Sequence, residues 1–254
     1  MNEPPYPVGT AVDHQRGALL VSRRLMPVIL QVHAGEIERS AADTLELESC
    51  GVMEGDRLDP LVTALLEVMT EPTLVVTVES SGGRGLHLIT IWATAVKAVV
   101  GTSSDRHHFE LMQIEPGLLP FHLAQAVALR PRFRLSFAGG VSLPVAALRS
   151  AERLIDDHPR EAAAELRSVG VATVWADRLV TALACRRALW TVESVWLGRS
   201  PHRRESKLTV LDGGDGGYWR MADHPGTGNV SLTVCDFDEL LDRLFWLLPG
   251  GSPQ

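Results

Sequence analysis

The sequence predicts an α+β fold of two similar halves, each running helix–helix–strand meander–helix, with mostly antiparallel strands. Duplicated words predict the doubling. Leu61-Val62-Thr63-Ala64-Leu65 recurs letter for letter as Leu179-Val180-Thr181-Ala182-Leu183, and Thr77-Val78-Glu79-Ser80 recurs as Thr191-Val192-Glu193-Ser194. A Gly-Val pair precedes each pentapeptide, Gly51-Val52 and Gly170-Val171. From Gly51 to Gly170, Leu61 to Leu179 and Thr77 to Thr191 the offsets are 119, 118 and 114 residues. Three words kept in order over that span mark a unit far longer than a solenoid repeat. Short links between the predicted strands set their sense, since a parallel crossover needs a dozen or more residues.

Residues 1–16, with three prolines, read as a loose arm. Residues 17–33 form an apolar strand or helix with Pro27 as a break, and 34–40 a polar link. The first unit, about 41–130, opens with a helix over 41–50 that ends where Gly51 can take a left-handed cap. Asp59-Pro60 is an N-cap followed by proline at the first helical position. Leu61, Leu65, Leu66 and Met69 then recur at helical spacing, and Pro72 stops the run. Strands are expected over 73–80, 86–93, 95–101 and 108–114, and a closing helix over 117–129. A connector follows over 130–148, with a short strand at 133–137 and a turn at Gly139-Gly140, then a helix over 147–156.

The second unit, about 161–250, repeats the order. Helices run from Glu161 to Gly170 and from Asp177 to Arg187. Strands follow at 188–197, 206–212, 216–222 and 229–235, and a helix at 236–248 has Asp236 as its N-cap. The whole chain, 1–254, is expected to be one domain built from these two pseudo-repeats.

Composition excludes several functions. The formal charge is −7, which disfavours nucleic acid and anionic lipid as partners. No stretch approaches the roughly 18 apolar residues of a membrane span, because Arg23 and Arg24 interrupt residues 18–32. The start has no basic leader region, and three distant cysteines do not make a disulfide framework, so the expected compartment is the cytoplasm. His107-His108 cannot easily share one ion, since adjacent strand residues face opposite ways, and no metal or cofactor is expected. The glycines of 213–217 lead into Tyr218-Trp219-Arg220, a strand, whereas a phosphate loop opens onto a helix. No nucleophile elbow is present, and Asp236, Asp238 and Glu239 suit a helix start, so no catalytic residue is assigned.

Two features suit a partner surface. Trp190, Val192 and Trp196 share a face of one predicted strand, with Tyr218 and Trp219 on a neighbour. Such aromatics are either core under helices or a binding face, and two helix-bearing halves favour core for most of them. The basic run from Arg199 to Lys207, with Arg199, Arg203 and Arg204, is either a loop that grips an acidic partner or a solvated hairpin loop.

Lys207-Leu208-Thr209-Val210-Leu211-Asp212, Gly217-Tyr218, Val230 to Val234, Asp236, and Leu240-Leu241 to Leu247-Leu248-Pro249 resemble the end of the EspG family. Gly51-Val52, Arg57-Leu58-Asp59-Pro60 and the Leu-rich helix entering a Val-rich strand resemble its first half, so the likeness covers roughly 40–250. The resemblance implies quasi-twofold halves around a central, mostly antiparallel sheet. It also implies a cytosolic, actinobacterial chaperone of type VII (ESX) secretion that binds the hydrophobic tip of a PE–PPE client, or an analogous WXG-type client. A monomer or weak dimer is expected. The competing reading is a winged-helix regulator, with recognition helices at about 59–70 and 177–187. Only the second carries arginines, Arg178, Arg186 and Arg187.

Overall fold

The computed structural model describes residues 9–36, 40–83, 85–103, 106–132, 138–196 and 204–248. These fall into two compact units. One draws on Met1–Thr77, Leu88–Leu119 and Val195–Arg204, the other on Val78–His87, Pro120–Ser194 and Glu205–Gln254.

The first unit begins with β1 (Ala11–Asp13) and β2 (Ala18–Ser22), then α1 (Met26–His33) and α2 (Ala41–Ser49). A small hairpin, β3 (Met53–Glu54) and β4 (Arg57–Leu58), leads into α3 (Pro60–Thr70). β5 (Leu74–Gly82), β6 (Gly85–Ala93), β7 (Ala98–Ser103) and β8 (His108–Ile114) follow. The hydrogen-bonded order is β1-β2-β8-β7-β6-β5, and β2–β8, β7–β8 and β6–β7 are antiparallel. Leu25, Ile29, Leu47 and Leu65, on or beside α1–α3, pack on Leu19, Val99 and Leu111 of the strands. Leu61 N–H donates to Asp59 Oδ1 at 2.8 Å, so the expected cap is formed. Residues 17–33 are a strand and a helix in succession. Pro27 stands in the first turn of α1, where a missing N–H costs nothing, so it starts the helix rather than breaking the element.

In the second unit the end of β5 lies beside β10 (Ala188–Trp196), where the Ser81 hydroxyl donates to the Leu189 carbonyl at 3.3 Å. The order continues through β11 (Arg204–Asp212), β12 (Tyr218–His224) and β13 (Asn229–Cys235) to β9 (Gly140–Pro144). β11–β12, β12–β13 and β13–β9 are antiparallel. Helices α5 (Val145–Leu154), α6 (Pro159–Ser168) and α7 (Thr173–Ala184) bury Leu148, Leu166 and Leu179 against Leu211, Trp219 and Leu232. The remaining helices are α4 (Leu119–Ala126) and α8 (Phe237–Trp246), and Glu239 N–H donates to the expected cap, Asp236 Oδ1, at 2.9 Å.

The repeated words occupy corresponding places. The pentapeptides lie in α3 and α7, each burying its Val and last Leu. The tetrapeptides lie in β5 and β10, with Val78 and Val192 buried and Glu79 and Glu193 exposed. Gly51 after α2 and Gly170 after α6 have φ of +71° and +91°, the left-handed conformation that ends a helix. The compact units cut across these runs, since β5 contributes to both. Further features differ from the sequence reading. Residues 11–13 of the expected loose arm are a strand, Gly140 opens β9 instead of sitting in a turn, and the two-residue strands β3 and β4 carry no legible alternation. The short strand expected at 133–137 lies outside the described residues.

Candidate functional site

Most of the aromatic candidates are core. Trp190, Val192 and Trp219 have no exposed surface and Tyr218 is 2% exposed, so as folded they offer a partner nothing. Their position follows from strand parity. Trp219 faces α5–α7, stacks edge-on with Trp175 at 6.0 Å and donates its Nε1–H to the Gly216 carbonyl at 2.9 Å. Tyr218 points the other way, where its hydroxyl exchanges hydrogen bonds with the Arg130 backbone at 3.1 Å and Arg132 lies over its ring at 4.7 Å. Trp196 is half-buried and Arg204 exposed, while Arg199 and Arg203 lie outside the described residues.

The glycines of 213–217 form a single turn of 3-10 helix pressed on α7. A Cβ at Gly216 would stand 2.7 Å from Ala182 Cα, which explains the glycine through close approach. Asp212, at the entry of this turn, accepts from Gly214 N–H at 2.9 Å and from Arg132 Nη2 at 2.6 and 2.7 Å. Burial works against the Arg132 charge, but Tyr218 and Asp212 outweigh it and hold the guanidinium above its ordinary range. All its partners are structural.

A groove of about 410 Å³ runs between β11, β12 and α8. Ser206 and Leu208 of β11, Arg220 and Ala222 of β12, and Arg243 and Trp246 of α8 line it. Trp246 is 39% exposed, and its neighbour Phe245 meets the exposed Phe121 edge-on at 6.0 Å and 86°. Arg243 stacks 5.5 Å over Trp246 and pairs with Glu239 at 2.9 Å. Lys207 on the rim pairs with Glu193 at 2.7 Å, which raises its pKa. The groove thus joins an exposed aromatic patch to a polar floor.

Among the described residues no cluster of three His, Cys, Asp or Glu could hold a metal, and no helix is long and apolar enough to cross a membrane.

The family model of EspG proteins matches residues 20–241. The chain belongs to the EspG family. Among solved structures, 14 chains match it. One is the Mycobacterium tuberculosis type VII secretion system chaperone EspG5 in complex with the PE25–PPE41 dimer. The TM-score is 0.62 at 14% identity, covering 93% of this chain and 98% of that one, which establishes a shared fold. No curated protein matches.

The winged-helix reading finds no support. In this EspG-family chain α3 buries Val62, Leu65, Leu66 and Val68, while Arg178 of α7 lies 5.5 Å over the Trp175 ring and Arg186, just beyond α7, pairs with Glu152 at 3.4 Å. A sequence reading that expects client contact through a sheet face and nearby C-terminal helices does not single out this aromatic patch. Leu240, Leu244, Leu247 and Leu248 set the buried stripe at the end of the chain, and Phe245 and Trp246 fall off it. Large apolar residues outside the stripe were the available signal.

Proposed function

We propose that this EspG-family chain is a cytoplasmic chaperone of type VII secretion. It binds the hydrophobic tip of a helical, PE–PPE-type secreted client and keeps it soluble for export. It acts by binding alone. The family match over residues 20–241 carries the reading, and the fold shared with a chaperone solved on a PE–PPE dimer supports it. The physical logic is masking. A client with an exposed apolar tip self-associates, and a partner that covers the tip shifts that equilibrium by mass action. Exposed Phe121, Phe245 and Trp246 suit such a task.

Co-expression with PE–PPE pairs encoded beside its gene tests the proposal. A stable complex that elutes as one species, with client insoluble when expressed alone, is the expected result. Failure of every pair to co-purify with chain that is folded by circular dichroism overturns it.

A further inference from the structure

We propose that Arg220 makes the groove beside α8 a receptor for one acidic side chain of the client, set between apolar neighbours. The source of that side chain rests on the chaperone reading; the chemistry of the groove does not. Arg220 is half-buried on β12, and its Nε is buried with no hydrogen-bond partner. No ion pair among the described residues engages it. The other two cations of the groove are directly paired, Lys207 with Glu193 and Arg243 with Glu239. Asp223, exposed on the rim, acts on Lys207.

A guanidinium stays charged at any physiological pH, and partial desolvation without a partner is costly. A carboxylate presents two oxygens in the geometry that an arginine fork matches. The walls, Leu208 and Trp246, require that the carboxylate arrive among apolar groups. At about 410 Å³ the space admits side chains and excludes a whole helix, whose diameter is roughly 10 Å. Trp246 belongs both to the groove and to the exposed patch, so a client helix lying on Phe245 and Phe121 would lower a side chain onto Arg220.

The test uses the full chain and two capped helical peptides, one carrying a single Glu between leucines and the other Gln in its place. Affinity is read by fluorescence anisotropy. The Glu peptide is expected to bind at least tenfold more tightly, with R220Q abolishing the preference and R220K retaining part of it. W246A should weaken both peptides while leaving their ratio intact. Equal binding of the two peptides to wild-type protein, or an unchanged ratio in R220Q, overturns the proposal. If R220Q fails to fold, R220K with a preference reduced from that of the wild type at low salt and lost at high salt still supports it, and a ratio equal to the wild type's or independent of salt overturns it. A peptide preference without any co-purified client would sink the chaperone reading and spare the groove; the reverse would sink the groove alone.

Discussion

Asp212 stands at the junction of a strand, a glycine turn and a buried arginine. Its side chain is 7% exposed and that of Arg132 17%. Removing one partner of such a pair leaves the other charge uncompensated, so Asp212→Ala should cost about 3 kcal/mol in urea unfolding. Cys235 titrates in the opposite sense from a paired carboxylate. Burial, helped by Glu239, pushes its thiol from 9.0 up to about 11. A folded pKa above the unfolded one gives stability that is complete below pH 9 and lost between pH 9 and 11, at most about 3 kcal/mol. Thermal melts across that window should show the loss, and Cys235→Ala should flatten it. At pH 8 a thiol reagent should label exposed Cys185 first and Cys235 last, as read by mass spectrometry. At this scale the sequence shows residue type and parity but hides depth. That Trp190 and Val192 share a face was legible. That the face is sealed, with the Trp190 Nε1 unpartnered, depends on what packs across it.

The two copies of the pentapeptide helix differ at their starts. α3 has Asp59 as its cap, whereas α7 begins at Ala172 with no side-chain cap although its backbone (φ −59°, ψ 142°) closely matches that of Asp59 (φ −52°, ψ 139°). Ala172→Asp should therefore stabilise the protein by about 1 kcal/mol in chemical denaturation, and Asp59→Ala should cost about as much. Caps, helix stops and strand periods were readable because they are local. β9 was not, since five residues with Gly140 at one end and Pro144 at the other make a strand only through pairing with β13. The groove escaped for a related reason: its walls come from three elements, and which side chains of β11 and β12 meet α8 depends on how the helix packs.

For the whole molecule, the proposed function requires surface and a stable frame. Phe245→Ala with Trp246→Ala should reduce client recovered in co-purification by about tenfold while shifting the melting temperature little, because both side chains are exposed. The doubled architecture was legible from three short words. Phe245 and Trp246, the proposed contact, do not stand out in the repeat, since they fall where the two runs differ: α8 ends in Phe245-Trp246, whereas α4 ends in Gln125-Ala126.

The outer strands have a bearing on how the molecule survives its own trade. β1 has three residues, and β9 has five and finishes at Pro144, which has no N–H to offer. Short, proline-ended borders are poor templates for another chain to zip onto. A holder of adhesive cargo that itself ended in long bare borders would polymerise with its load. Here the ends of the strand order are blunt, and Phe245 and Trp246, the side chains proposed to meet the client, lie on a helix away from either border strand.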